Sequence, residues 1–220
     1  MKIMAFDLSS VCIGCIVAKL DNHKIEKIAS APIIPKKDPD ISLKLGFIRT
    51  KHKCENGLTS YVKYSGENVS KAEKKRRDVL VRDTQNAYIL ENISKELSDV
   101  ITAIKPDKIV VEKHAIFNGI LTSVLLAKIS GILIGVAGDN GISVSEYPVK
   151  EVRSIYNLPE LTKEFIKTKK PEDLIKIPDV TKASIGFYLS KKYSITFKTY
   201  DESDACAVFD YYMERKYEND

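Results

Sequence analysis

The sequence predicts an α/β protein in which helices flank a mixed β-sheet. Three observations predict it: strand-like runs open the chain, a long amphipathic helical stretch follows, and strand, helix and strand then alternate before two terminal helices. With 220 residues, we expect one domain over residues 1–220, carrying an insertion at about residues 35–80.

The first three runs predict an antiparallel meander. Residues 2–8, 12–20 and 24–33 are apolar or β-branched, and Asp21-Asn22 supplies a turn between the last two. From Pro35 to about Val69 the pattern loosens. Within it, GFIRTKHK and TSYVKYSG flank the turn ENG, which predicts an inserted β-hairpin.

The second half predicts a parallel crossover. Apolar residues at helical spacing lead up to Pro106, then residues 107–113 form a β-branched run, 120–137 an apolar helix and 142–148 another strand. We expect most of the apolar surface of helix 120–137 to be buried within the monomer. Polar residues 159–172 are expected to form a loop, and 180–193 and 201–217 two closing helices.

Charge and composition restrict the environment and the partner. The net charge is +5 with a pI near 8.8, and basic residues cluster at 36–37, 71–77, 167–170 and 191–192, which is compatible with a phosphate backbone. Each cluster alone is more typical of a solvated surface. Since there is no signal peptide and no run of about 18 uncharged apolar residues, we expect a cytoplasmic protein without membrane contact.

The four cysteines do not form a disulfide framework. Cys12 and Cys15 have a zinc-like spacing, with His52 and Cys54 as the conceivable other half. In a strand, however, an offset of three places side chains on opposite faces. Thiols buried in an apolar strand are the favoured interpretation.

Four carboxylates carry the main functional hypothesis. Asp7 ends the first strand, Glu112 ends the strand after Pro106, and Asp201 and Asp204 lie at i and i+3 in the last helix. Each has a structural alternative: Asp7 as a turn acceptor, Glu112 as an exposed strand end, and the acidic pair as a helix cap. As a set, they predict a site at which two divalent cations, Mg²⁺ or Mn²⁺, catalyse phosphoryl transfer.

Five motifs in order give the sequence a specific resemblance. FDLSSVCIGCIV, IVVEKH, VSEYPVKEVRSIY, VTKASIGFYL and DESDACAVF resemble RuvC-type Holliday junction resolvases of the RNase H-like superfamily, and the chain looks like a bacteriophage member. The resemblance covers roughly residues 1–34 and 85–215, while 35–80 have no counterpart in the compact bacterial form. It implies an RNase H-like, RuvC-like fold with a five-stranded mixed sheet.

The resemblance also implies an activity and a site. Asp7, Glu112, Asp201 and Asp204 would hold two metal ions, which activate water for attack on a phosphodiester and leave 5′-phosphate and 3′-hydroxyl ends. Lys182 falls at a phosphate-contacting position, with a surface lysine as the alternative. Contacts with branched DNA are expected from the following residues: Lys113, His114, Phe117, Lys150, Lys182, Arg49 and Lys51.

The family acts as a homodimer that nicks four-way junctions symmetrically, so the resemblance implies a homodimer here. The apolar surface of helix 120–137 makes that helix a candidate for part of the interface, beside the favoured explanation that the monomer buries most of it. Two other functions stay open. One is a branched-DNA-binding module without activity. The other is an actin-like ATPase, which the ten glycines and the short chain disfavour.

Overall fold

The fold is seen in a computed structural model, which describes residues 1–22, 24–38, 40–45, 49–53, 60–64, 70–113, 120–215 and 217. The chain divides into two compact units, residues 1–35 with 93–220 and residues 36–92. The prediction of one domain with an insertion at 35–80 stays a prediction.

The first unit is built on a five-stranded sheet of order β3-β2-β1-β6-β7. The strands are β1 (Lys2–Asp7), β2 (Ile13–Asp21), β3 (Lys24–Ile33), β6 (Lys108–Lys113) and β7 (Ser143–Pro148). The first three pair antiparallel as predicted, and β6 pairs parallel with both β1 and β7. The predicted mixed five-stranded sheet is therefore confirmed.

The numbering of the other elements follows the chain: α1 (Ile41–Lys44), β4 (Arg49–Lys53), β5 (Ser60–Tyr64), α2 (Lys71–Ile104), α3 (Ile120–Asp139), α4 (Val149–Arg153), α5 (Leu158–Lys167), α6 (Pro171–Leu174), α7 (Val180–Tyr193) and α8 (Tyr200–Arg215). The division between the units falls within α2. In the second unit, β4 and β5 pair antiparallel as a hairpin. That this hairpin is an insertion stays a prediction.

Helix α8 forms the centre of the core. Residues 202–212 are all buried, and they pack on a sheet face to which Ile3, Ile16 and Val110 contribute. The alternate strand residues, such as Met4 and Ile109, are equally buried, so both faces of the sheet are covered. Burial on both faces explains why these strands read as nearly continuous apolar runs.

Helix α3 is far more exposed than expected. Its buried residues are Ile129, Leu133 and Ala137, whereas Leu121 is 63% exposed and Val124 48%. The expectation that the monomer buries most of this helix is therefore wrong, because the sheet needs only one narrow stripe of it. By length and composition alone, α3 could cross a bilayer, and among the described residues it is the only helix of which this is true. Exposed apolar helices at the protein–protein interfaces of soluble proteins can have the same composition.

The expected loop at 159–172 is also wrong, since α5 and α6 occupy most of it. Pro159 lies in the first turn of α5, where proline is favoured. Phe165 is buried against Phe187 of α7, with ring centroids 5.6 Å apart. The charged residues had hidden an amphipathic helix whose apolar side packs on α7.

Candidate active site

Asp7 and Glu112 lie side by side at the carboxyl ends of neighbouring strands. The parallel register pairs Ala5 with Val110 and Phe6 with Val111, so the next residues along are Asp7 and Glu112. Asp7 lies two residues after Ala5 and Glu112 two residues after Val110, so both share the sheet face on which α8 packs. Asp7 is only 8% exposed, and a carboxylate so placed requires compensating cations or donors.

The acidic pair of α8 reaches Asp7 because β2 carries a glycine there. Gly14 is the register partner of Asp7. A Cβ on Gly14 would lie 1.9 Å from the backbone oxygen of Asp201. Only glycine lets the first turn of α8 lie directly on β2, which is the positional reason for a glycine inside this strand.

Lys182 enters the cluster from α7. Asp179 caps that helix, its side chain accepting a hydrogen bond from the Lys182 amide at 3.0 Å. The Lys182 ammonium donates to Oδ2 of Asp204 in an ion pair. The predicted phosphate-contacting lysine is thus placed among the carboxylates.

The carboxylates perturb one another strongly. Burial, followed by the charges of Glu112, Asp204 and Asp201, raises the pKa of Asp7 well above its ordinary value. Burial and the charge of Asp204 raise the pKa of Glu112 to about 7. The four acidic side chains therefore share one electrostatic environment.

Burial and ion pairing have opposite effects on the pKa values of Asp204 and Lys182. Burial raises the pKa of Asp204, and the contact with Lys182 opposes this without reversing it. Burial lowers the pKa of Lys182, but the hydrogen bond and charge of Asp204 outweigh it, so the net pKa lies above its ordinary value. One lysine does not neutralise the cluster, which retains excess negative charge.

Arg153 is a second cation near the cluster, and sequence reasoning missed it. It ends α4, the short helix that follows the carboxyl end of β7. Its charge lowers the pKa of both Glu112 and Asp204. The signal was available, because ligand-binding residues gather at the carboxyl ends of strands, and Arg153 lies one turn beyond β7.

The donor set suits a hard divalent cation. The buried Asp7 and the three carboxylates that act on it offer oxygen ligands of the kind that Mg²⁺ and Mn²⁺ prefer. Within the described ranges, however, no three acidic, histidine or cysteine side chains lie close enough together to hold a metal ion as they stand. Without a bound cation, the mutual repulsion of the carboxylates and the pairing of Asp204 with Lys182 both favour a wider separation of the carboxylate groups.

The remaining predicted DNA contacts are only partly described. Lys113 is the last residue of β6, and Lys150 lies in α4, just after the end of β7; both are exposed and lie at the same sheet edge. His114 and Phe117 lie outside the described residues. Arg49 and Lys51 belong to β4 in the second unit, where only the backbone is described.

No protein-family model matches the sequence, and no curated protein matches it. Solved structures do resemble the fold. Thermus thermophilus RuvC in complex with a Holliday junction substrate is 10% identical, with a TM-score of 0.50 over 98% of this chain and 97% of that chain.

 The fowlpox virus resolvase, also solved with Holliday junction DNA, is 14% identical with a TM-score of 0.44, covering 97% of each chain. The yeast mitochondrial Holliday junction resolvase is 11% identical with a TM-score of 0.43, covering 96% of this chain and 78% of that one. At such identities a likeness shows the fold alone, and the RuvC complex, with its TM-score of 0.50, shows a RuvC-like, RNase H-like fold, as predicted.

Proposed function

We propose that this protein is a divalent-metal-dependent endonuclease that resolves four-way DNA junctions by paired nicks. The observation that carries the proposal is that Asp7 is buried and that the charges of Glu112, Asp204 and Asp201, from a neighbouring strand and a helix, all raise its pKa. Further support comes from the fold, which is shared with a RuvC structure that holds a Holliday junction substrate.

Each side chain has a distinct task in this proposal. Asp7 and Glu112 would hold the cations from the rigid sheet, while Asp201 and Asp204 would hold them from α8. Two Mg²⁺ or Mn²⁺ ions, when bound, supply a nucleophilic water and charge stabilisation of the leaving oxygen. Lys182 binds the scissile phosphate and offsets the negative charge that develops on it.

Binding of the DNA arms falls to basic residues around the sheet edge. Lys113, Lys150 and Arg153 follow the carboxyl ends of β6 and β7, where they would position phosphates on either side of the cut. His114 and Phe117 are proposed to enter the junction. Arg49 and Lys51 of the hairpin would add contacts that could extend the substrates to forks and flaps.

We further propose a homodimer, since two nicks placed symmetrically require two active sites. The exposed apolar side of α3 is the proposed interface: Ile120 is 81% exposed and Leu121 63%. Leu121→Glu should dissociate the dimer in sedimentation velocity. The matched control is Ile175→Glu, which changes an equally apolar residue that is 87% exposed outside α3; dissociation by both variants, or by neither, would exclude α3 as the interface.

The activity is tested by nicking of a labelled four-way junction with Mg²⁺ or Mn²⁺. The unchanged protein should introduce paired nicks with ligatable ends, and Asp7→Asn and Glu112→Gln should bind the junction without cutting it. If the unchanged protein also binds without cutting, the chain is a branched-DNA-binding module. If neither binding nor cutting is found, the proposed function is wrong.

A further inference from the structure

The first turn of α8 is closed by a reciprocal pair of hydrogen bonds. Thr199, the residue before the helix, accepts a hydrogen bond from the Glu202 amide at its hydroxyl oxygen, 3.2 Å away. Oε2 of Glu202 accepts from the Thr199 amide at 2.9 Å. This is a capping box, and it fixes the start of the helix that carries Asp201 and Asp204.

Glu202 does more than cap the helix. The same Oε2 atom accepts from the Lys198 amide at 2.7 Å, so one oxygen holds two successive amides of the connection between α7 and α8. Glu202 is completely buried. Among the described residues, its other oxygen, Oε1, has no hydrogen-bond partner, which is an unfavourable arrangement for stability.

The capped turn is also fixed from the sheet side. The Glu202 amide nitrogen lies 2.7 Å from where a Cβ on Gly14 would be, and Gly14 pairs with Asp7. The backbone of residues 201–202 is thus held on one side by β2 and on the other by the connection between α7 and α8, whose Lys198 and Thr199 amides donate to the Glu202 carboxylate.

We infer that Glu202 is a positioning residue, whose buried carboxylate sets the place of Asp201 and Asp204 relative to Asp7 and does not itself bind metal. This inference rests on the proposed function, because the positioned groups are the proposed metal ligands. Residues that orient ligands typically change metal affinity or activity about 10- to 100-fold when they are replaced.

The test compares two substitutions at one position. Glu202→Gln keeps an oxygen that can accept from the Lys198 and Thr199 amides, whereas Glu202→Ala removes it. Calorimetric titration of the metal-free protein with Mn²⁺ should show nearly unchanged affinity for Glu202→Gln and a loss of about 10- to 100-fold for Glu202→Ala. Amide hydrogen exchange at 198–202 should accelerate only in Glu202→Ala.

A second pair of variants, at Thr199, distinguishes the loss of the capping hydrogen bond from a loss of folding. Thr199→Val removes the hydroxyl of the capping box but leaves Glu202 in place, and Thr199→Ser restores that hydroxyl. Mn²⁺ affinity should fall in Thr199→Val and recover in Thr199→Ser, both measured well below the unfolding temperature of each variant.

Three outcomes would overturn the inference. If Glu202→Gln loses Mn²⁺ binding as severely as Asp204→Asn, Glu202 is a ligand. If Glu202→Ala lowers the unfolding temperature but binds Mn²⁺ normally when folded, its role is only structural. If the unchanged protein binds no Mn²⁺ and nicks no junction, the proposed function fails and this inference fails with it.

Discussion

Replacing Gly14 with alanine should separate the acidic end of α8 from the strand that carries Asp7. The new Cβ would lie 1.9 Å from the Asp201 oxygen, whereas ordinary contact begins at 3.4 Å. The two backbones must therefore move apart by about 1.5 Å, and a misplacement of about 1 Å can cost about 100-fold in rate. We expect the nicking rate of Gly14→Ala to fall by at least about 100-fold.

The effect on folding should be smaller than the effect on the site. Overpacking of a core contact typically costs about 1–3 kcal/mol, so a folded variant should be recoverable. Gly138→Ala is the matched control, because a Cβ there meets nothing within 4 Å. It should leave both nicking and Mn²⁺ binding unchanged.

The assay for Gly14→Ala combines single-turnover nicking of a four-way junction with calorimetric Mn²⁺ titration, both below the unfolding temperature. A folded Gly14→Ala that binds Mn²⁺ and nicks at the rate of the unchanged protein would refute the argument that close approach of β2 and α8 builds the site.

Three further predictions concern charge. Burial and the charge of Asp204 raise the pKa of Glu112 from 4.5 to about 7, so ionising Glu112 costs the metal-free protein stability as the pH rises through that window. The free energy of unfolding of Glu112→Gln should exceed that of the unchanged protein by about 3 kcal/mol at pH 8 and lose most of that advantage near pH 4.5. An equal difference at both pH values in denaturant titrations would contradict this. Lys182→Gln should slow nicking by about 100-fold while tightening Mn²⁺ binding, since Asp204 loses a competing cation; weaker Mn²⁺ binding would count against that competition. Asp210 is completely buried and accepts hydrogen bonds from Tyr156 at 2.9 Å and Lys192 at 2.6 Å, so Asp210→Ala should destabilise the fold by about 3 kcal/mol in denaturant titrations, and a loss below about 1 kcal/mol would show that the buried network contributes little.

The sheet was predictable because its strands are short apolar runs bounded by turn residues. Because both faces of the sheet are covered, β1 and β6 consist mainly of apolar residues, and Asp7 and Glu112 follow directly after those apolar runs. An ionisable residue that ends a buried strand is visible in sequence. The same reasoning placed the acidic pair in the first turns of α8.

Other features depend on tertiary contacts that no local pattern encodes. The charged residues of α5 concealed its packing through Phe165, and the apolar composition of α3 suggested burial that the sheet does not provide. Arg153 and Glu202 acquire their roles only when α4 and α8 meet the strand ends. The sequence showed a glycine within a strand at position 14. It could not show why a glycine is needed there, because the group that a Cβ would meet, the carbonyl of Asp201, lies far away in the chain.

The most direct test of the four-carboxylate site is junction nicking by Asp7→Asn beside the unchanged protein, with Mn²⁺ binding measured for both. We expect paired symmetric nicks and Mn²⁺ binding from the unchanged protein. Asp7→Asn, with its junction affinity retained, should show no nicks and greatly weakened Mn²⁺ binding. Nicking by Asp7→Asn at the rate of the unchanged protein would contradict the account.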